Sequence, residues 1–157
     1  MTTPTQSPRL VLADHARPHL AAMIRLEERI TLAPPLRHLV KLRASLVNGC
    51  AFCIDMHWAE ARAAGEPEER LAQLGAWAES PYYADARERA ALALTDAMTL
   101  VAATHVPDDV WAEAARHFDA GELADLVFAI GAINLWNRIE IATRALPASY
   151  AQSAEAA

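Results

Sequence analysis

From residue 17 onward, apolar positions recur at helical spacing in segments separated by proline or glycine, and no stretch alternates in the manner of a strand. A first helix is expected from Pro18, with Leu20, Met23, Ile24 and Ile30 forming one stripe before the break at Pro34-Pro35. The next runs from Pro35 to about Val47, where Leu36, Leu39, Val40, Leu46 and Val47 fall near the 3.6 period and His38 lies close to that buried stripe. Asn48-Gly49 ends it. A third helix spans Cys50 to Ala64 and closes at Gly65, a residue that accepts left-handed backbone. Pro67 opens a shorter helix that ends near Ser80-Pro81. Three more follow at about 85–103, 107–118 and 120–145, the last introduced by Asp119-Ala-Gly-Glu122 with capping-box spacing and ended by Pro147. The pattern predicts an all-α bundle of about seven helices over residues 17–147, with an N-terminal arm at 1–16 and a C-terminal tail at 148–157.

Composition sharpens this picture. A chain of 157 residues fits one domain and buries roughly 68–70% of its unfolded surface, so a real core forms without staples. Usage leans on Ala, Leu, Arg and Glu with only 5 Gly, which favours helices. With 54% hydrophobic residues in amphipathic helices, the chain carries more apolar stripe than one small core covers, and a homo-oligomer is expected. The four Trp and three Tyr read as core or interface anchors.

Charge excludes some partners. A net charge of −6 and a pI near 5.5 leave no basic field for phosphate, so nucleic acid is not an expected partner. Lys41 is the single lysine, and the arginines are interleaved with acids, as in "RLEERI" and "EPEERL", on solvated helix faces. The N-terminal stretch lacks the pattern of a secretory signal. The most apolar segment, Leu126 to Trp136, is too short to span a bilayer and contains Asn134. The expected setting is therefore the reducing cytoplasm, without a membrane partner.

In that setting, two cysteines three residues apart are candidate chemistry. A thiol becomes a nucleophile only as thiolate, which a helix N-terminus stabilises. Ideal helix dimensions put Cα atoms three apart at about 5 Å, within the roughly 4.4–6.8 Å that a disulfide requires, so Cys50 and Cys53 can bridge. The same geometry puts His57 about 6 Å from Cys53 and about 10–11 Å from Cys50, which suggests Cys53 as nucleophile and Cys50 as its partner. The helix dipole alone favours Cys50. Competing readings are an inert core pair, a zinc site built from Cys50, Cys53, His57 and His38, and a structural disulfide. Zinc knuckles hold C-x-x-C in a turn, whereas Ala51-Phe52 reads as helical, and a loop this short gives a disulfide little to constrain. Neither a metal nor another cofactor is expected.

The stretch "LRHLVKLRASLVNGCAFCIDMHWAEARAAGE", residues 36–66, resembles the core motif of the alkylhydroperoxidase AhpD and carboxymuconolactone decarboxylase superfamily. That motif runs Glu, eleven residues, Cys, two residues, Cys, three residues, His, and Cys50, Cys53 and His57 fill its last three places. "ERAALALTDAMTL" and "LVFAIGAINLWNRIEIATRALP" are similar to the family's following helices, so the likeness covers most of residues 18–147. The resemblance implies an AhpD-like all-α fold, trimers or hexamers, and thiol-dependent reduction of alkyl hydroperoxides. It implies that Cys53 attacks the peroxide, Cys50 condenses with the resulting sulfenic acid, His57 belongs to a proton relay, and a dithiol protein reduces the disulfide. The alternative use of the same cluster is a non-enzymatic redox sensor or metal-binding module.

Three departures or open positions stand out. The family's Glu position is occupied by His38, which is expected to join the relay and to share one proton with His57. Phe52 stands where some AhpD proteins carry His. Asn134, Trp136, Asn137 and Arg138 resemble a family pattern on the last helix and are expected to serve helix packing or a subunit contact. The superfamily's true decarboxylases lack the Cys pair, which weighs against that activity here.

Overall fold

A computed structural model describes residues 7–150; the first part of the expected arm, residues 1–6, and most of the expected tail, residues 151–157, lie outside the described residues. The helices are α1 (Leu12–His15), α2 (Arg17–Glu27), α3 (Pro34–Asn48), α4 (Ala51–Ala63), α5 (Glu68–Ala72), α6 (Ala86–Thr99), α7 (Val101–Thr104), α8 (Asp108–His117) and α9 (Ala120–Thr143). A 3-10 turn at Leu74–Ala76 follows α5. The fold is all-α among the described residues, and none of these helices is long and apolar enough to cross a membrane.

Among the described residues, nine helices replace the expected seven for local reasons. α1 is a single turn within the arm, and the segment expected at 85–103 divides at Leu100, whose backbone leaves the helical region. Thr104 stabilises the break by donating its hydroxyl to the Ala97 carbonyl at 2.6 Å.

α3 is the central pillar and packs on α4, α6 and α9. Leu36 and Val40 join one apolar cluster with Leu94, Leu126 and Ile130, while Leu39 and Leu42 join another with Leu71, Leu92 and Tyr83. Two buried faces thus come from one stripe-rich helix. Truncating Leu39 or Leu42 to Ala would cost about 2–5 kcal/mol.

α2 departs from its expected role. Its helix stops at Glu27, so Ile30 reaches the core from the connecting segment. No residue within α2 is fully buried, and Leu20 and Ile24 instead roof a cavity beside α4. α9 is apolar nearly all round, yet only one side packs inward; Phe128 and Leu135 remain 56% and 45% exposed. Its start has the expected capping box, with Asp119 Oδ1 accepting from Glu122 N and Glu122 Oε2 accepting from Asp119 N.

Candidate active site

The site begins at the junction of α3 and α4. Gly49 ends α3 in the left-handed region (φ +69°), and this reversal carries the chain into Cys50. Cys50 lies one residue outside α4, as its N-cap, rather than inside its first turn as the sequence suggests. Its Sγ accepts from the Cys53 backbone N–H at 3.4 Å, so the sulfur receives one of the free donors of the helix start. Both thiols are buried and unbridged, packed with Ala44 and Ile133 and flanked by Phe52 and Trp136.

The two sulfurs behave as one titrating pair. Cys50 is lowered from 9.0 to about 7, chiefly because the Cys53 thiol donates to it; the Cys53 backbone N–H and the Asn137 amide add to this, against burial and the nearby Glu140 carboxylate. Cys53 retains the shared proton, and its pKa is pushed far up, first by that hydrogen bond to Cys50 and then by burial. The pair therefore releases one proton near neutrality and holds the second.

Cys53 and His57 face one cavity of about 490 Å³. Buried His57 is held through Nδ1, which lies 2.8 Å from Glu60 Oε2, leaving Nε2 as its uncommitted ring nitrogen. Glu60 is lowered in pKa mainly by this hydrogen bond. His38 also faces Glu60, with Nδ1 3.7 Å from the same oxygen, too far for a hydrogen bond. Burial lowers the His38 pKa, opposed by Glu60 and assisted by Arg37, His57 and Lys41. The structure thus brings Cys50, Cys53 and His57 together and places His38 behind Glu60, which stands between the two imidazoles.

Glu60 is the residue that sequence reasoning missed. The family's carboxylate position holds His38, but Glu60 supplies a carboxylate from α4 itself, three residues after His57 and seven after Cys53 on the same face. That spacing was the available signal. Glu140 was also missed: it borders the cavity from α9, has no hydrogen-bond or ion-pair partner among the described residues, and is raised in pKa by burial.

The expected packing role of the α9 pattern is visible in part. Asn48 Nδ2 donates to Asn137 Oδ1 at 2.8 Å and to Asn134 Oδ1 at 3.0 Å; Asn134 donates to Thr99 Oγ1, and Asn137 to Ser45 Oγ. Asn137 does more than pack, because its amide also favours the thiolate. Among the described residues no three His, Cys, Asp or Glu side chains converge as a metal-binding set.

Comparison with known proteins places this geometry in a family. Residues 18–97 match the model of the carboxymuconolactone decarboxylase family. YdfG of Bacillus subtilis (strain 168), an uncharacterised protein, is 47% identical over 106 residues, 68% of this chain and 71% of its own length. The crystal structure of ATU0492 from Agrobacterium tumefaciens, a protein of unknown function linked by its description to the antioxidant defence protein AhpD, superposes with a TM-score of 0.87 at 40% identity. It covers 90% of this chain and 98% of its own. An uncharacterised peroxidase-related protein from Ralstonia eutropha JMP134, described as an alkylhydroperoxidase AhpD core, shares the fold at 19% identity, with a TM-score of 0.74 over 92% of this chain and 78% of its own. The chain belongs to the carboxymuconolactone decarboxylase family, within the superfamily that includes AhpD.

Proposed function

We propose that the protein is a thiol peroxidase that reduces organic hydroperoxides through a Cys50–Cys53 disulfide cycle. The observation that carries this reading is the placement of Cys53 on a cavity shared with His57 and Glu60, beside a second sulfur that already favours the thiolate. Membership of the AhpD superfamily supports it.

Cys53 is the cavity-facing nucleophile and Cys50 the resolving thiol. Cys53 passes its proton to the relay formed by His57 and Glu60, with His38 behind them, and attacks the terminal peroxide oxygen. An S–O bond forms as the O–O bond breaks, and the departing alkoxide takes the proton that Cys53 released. Cys50 thiolate then attacks the sulfenic sulfur; an S–S bond forms, the S–O bond breaks, and hydroxide leaves to be protonated by solvent. Two electrons have passed from the thiols to the peroxide. A dithiol reductant protein, in a reducing compartment such as the cytoplasm, returns them.

Consumption of cumene hydroperoxide with excess dithiothreitol tests this cycle. Catalytic consumption that disappears in Cys53→Ser is expected; consumption no faster than with dithiothreitol alone would contradict the reading.

Self-association is part of the proposal. Ala124, Phe128, Gly131 and Leu135 repeat at spacings of four, three and four on the exposed side of α9, which fits a helix-to-helix contact between copies. Sedimentation at micromolar concentration is expected to show a trimer or hexamer, and a monomer would contradict it.

A further inference from the structure

We propose that the cavity at Cys53 selects its substrate by charge, admitting neutral organic hydroperoxides and turning away those that carry a carboxylate. The proposal rests on the peroxidase reading for the word hydroperoxide, but its geometric basis is independent of that reaction.

The walls set the first half of the specificity. Leu20 and Ile24 from α2, Phe52 and Met56 from α4, and Trp136 from α9 enclose the approach to Cys53 with hydrocarbon and aromatic surface. Such a lining takes an alkyl or aryl body and gives small, strongly hydrated peroxides little to bind.

Charge sets the second half. Three carboxylates, Glu27, Glu60 and Glu140, border this cavity against one ammonium, Lys41, and no arginine lines it. Lys41 is already paired with Glu27, and both side chains are largely buried, at 12% and 18% exposure. The ammonium is therefore not free to receive an incoming carboxylate. Glu60 is engaged by His57. Glu140 has no hydrogen-bond or ion-pair partner among the described residues, and its charge already opposes the thiolate at both sulfurs. Two arginines open on adjoining cavities instead, Arg37 together with Glu27 and Glu28, and Arg144 beside Cys50. Above the Glu140 pKa, an anion entering toward Cys53 meets unpaired negative charge in a site walled by apolar surface, where like-charge repulsion is weakly screened. The smaller cavity at Cys50 is bordered by Arg144 as well as Glu140, but Cys53 does not line it.

Alkylation of the reduced Cys50→Ser protein at pH 8, in which Cys53 is the single thiol, reads this selectivity without any peroxide. The rate at Cys53 with neutral iodoacetamide is divided by the rate with anionic iodoacetate, each measured by peptide mass spectrometry, and the ratio is compared with that of a small free thiol. Because thiolate fraction affects both reagents equally, it cancels. We expect a ratio at least tenfold above the free thiol, falling several-fold in Glu140→Gln and again in Glu27→Gln, which frees Lys41. A ratio equal to that of the free thiol, or one unmoved by both substitutions, would overturn the proposal. In a parallel assay, the methyl ester of linoleic acid hydroperoxide should be consumed at least tenfold faster than the free acid. Equal consumption of ester and acid would overturn charge selection while leaving the peroxidase reading standing. Alkylation selectivity without consumption of either would do the reverse.

Discussion

Two polar clusters flank α3, and they differ in how completely they are satisfied. On one side, Arg43 gives Nε and one terminal nitrogen to the two oxygens of Asp96 at 2.6 and 2.9 Å, and its other terminal nitrogen to the Gly75 carbonyl at 2.8 Å. Trp77 Nε1 completes that carboxylate at 3.0 Å. On the other side, around the cavity, Glu27 Oε1 and His38 Nδ1 are buried without a hydrogen-bond partner, and Glu140 has none at all among the described residues. Arg70 Nε, away from the cavity, is the remaining buried side-chain atom of this kind among the described residues. A closed network fixes three segments in place, whereas open valences near a thiol are available to a substrate or a proton. The first cluster holds the fold, and the second is the one that the proposed peroxidase reading uses.

Substitutions can break that distinction, beginning with the largest effect. Cys53→Ser is expected to abolish sulfenic acid formation, while Cys50→Ser leaves a trapped sulfenic acid or mixed disulfide on Cys53; a dimedone adduct located by mass spectrometry checks both. Oxidation of Cys50 in Cys53→Ser at the wild-type rate would exchange the roles of the two sulfurs. Asp96→Ala leaves the Arg43 guanidinium and Trp77 N–H without their carboxylate, and should cost about 3 kcal/mol, at the low end for a broken buried pair because Asp96 is partly exposed. Urea unfolding measures this, and the folded fraction should keep its hydroperoxide turnover. Glu60→Gln should do the opposite: stability changes little, since the side chain is 46% exposed, but kcat/KM falls about 100-fold with loss of the carboxylate that orients His57.

The smallest effect concerns the pH at which the thiol pair ionises. Hydrogen bonds to the thiolate favour the charged form, so ultraviolet thiolate absorbance should rise through a midpoint of about 7 and be lost as pH falls below it. Cys53→Ala removes the leading donor, and the Cys50 midpoint should climb back toward 9.0. A midpoint that stays near 7 would assign the stabilisation to the helix start and Asn137 instead.

Much of this arrangement is legible in the sequence because it is local. The C-x-x-C-x-x-x-His spacing needs only one helix to bring Cys50, Cys53 and His57 together, while Gly49 and Gly65 mark helix ends through left-handed backbone and Asp119 marks one through its capping side chain. What escapes is set between helices. Glu60 looks like one more acid on a solvated face until the position of His38 on α3 is known, and Glu140 acquires meaning only when α9 is laid against α4. The apolar stripe of α2 predicts a buried face that the helix does not have, since none of its residues is buried and Ile24 is 51% exposed, because periodicity cannot tell a core from the roof of a cavity.

The central claim is that Cys53 reduces a hydroperoxide and Cys50 closes the cycle, and one turnover tests it most directly. The fully reduced protein, freed of added thiol, is mixed with one equivalent of cumene hydroperoxide and analysed by intact and peptide mass spectrometry alongside product alcohol. The account predicts one alcohol per chain and an intrachain Cys50–Cys53 disulfide, with a mass lower by two hydrogens, faster by orders of magnitude than in Cys53→Ser. Unreacted hydroperoxide over both buried, reduced thiols would contradict it.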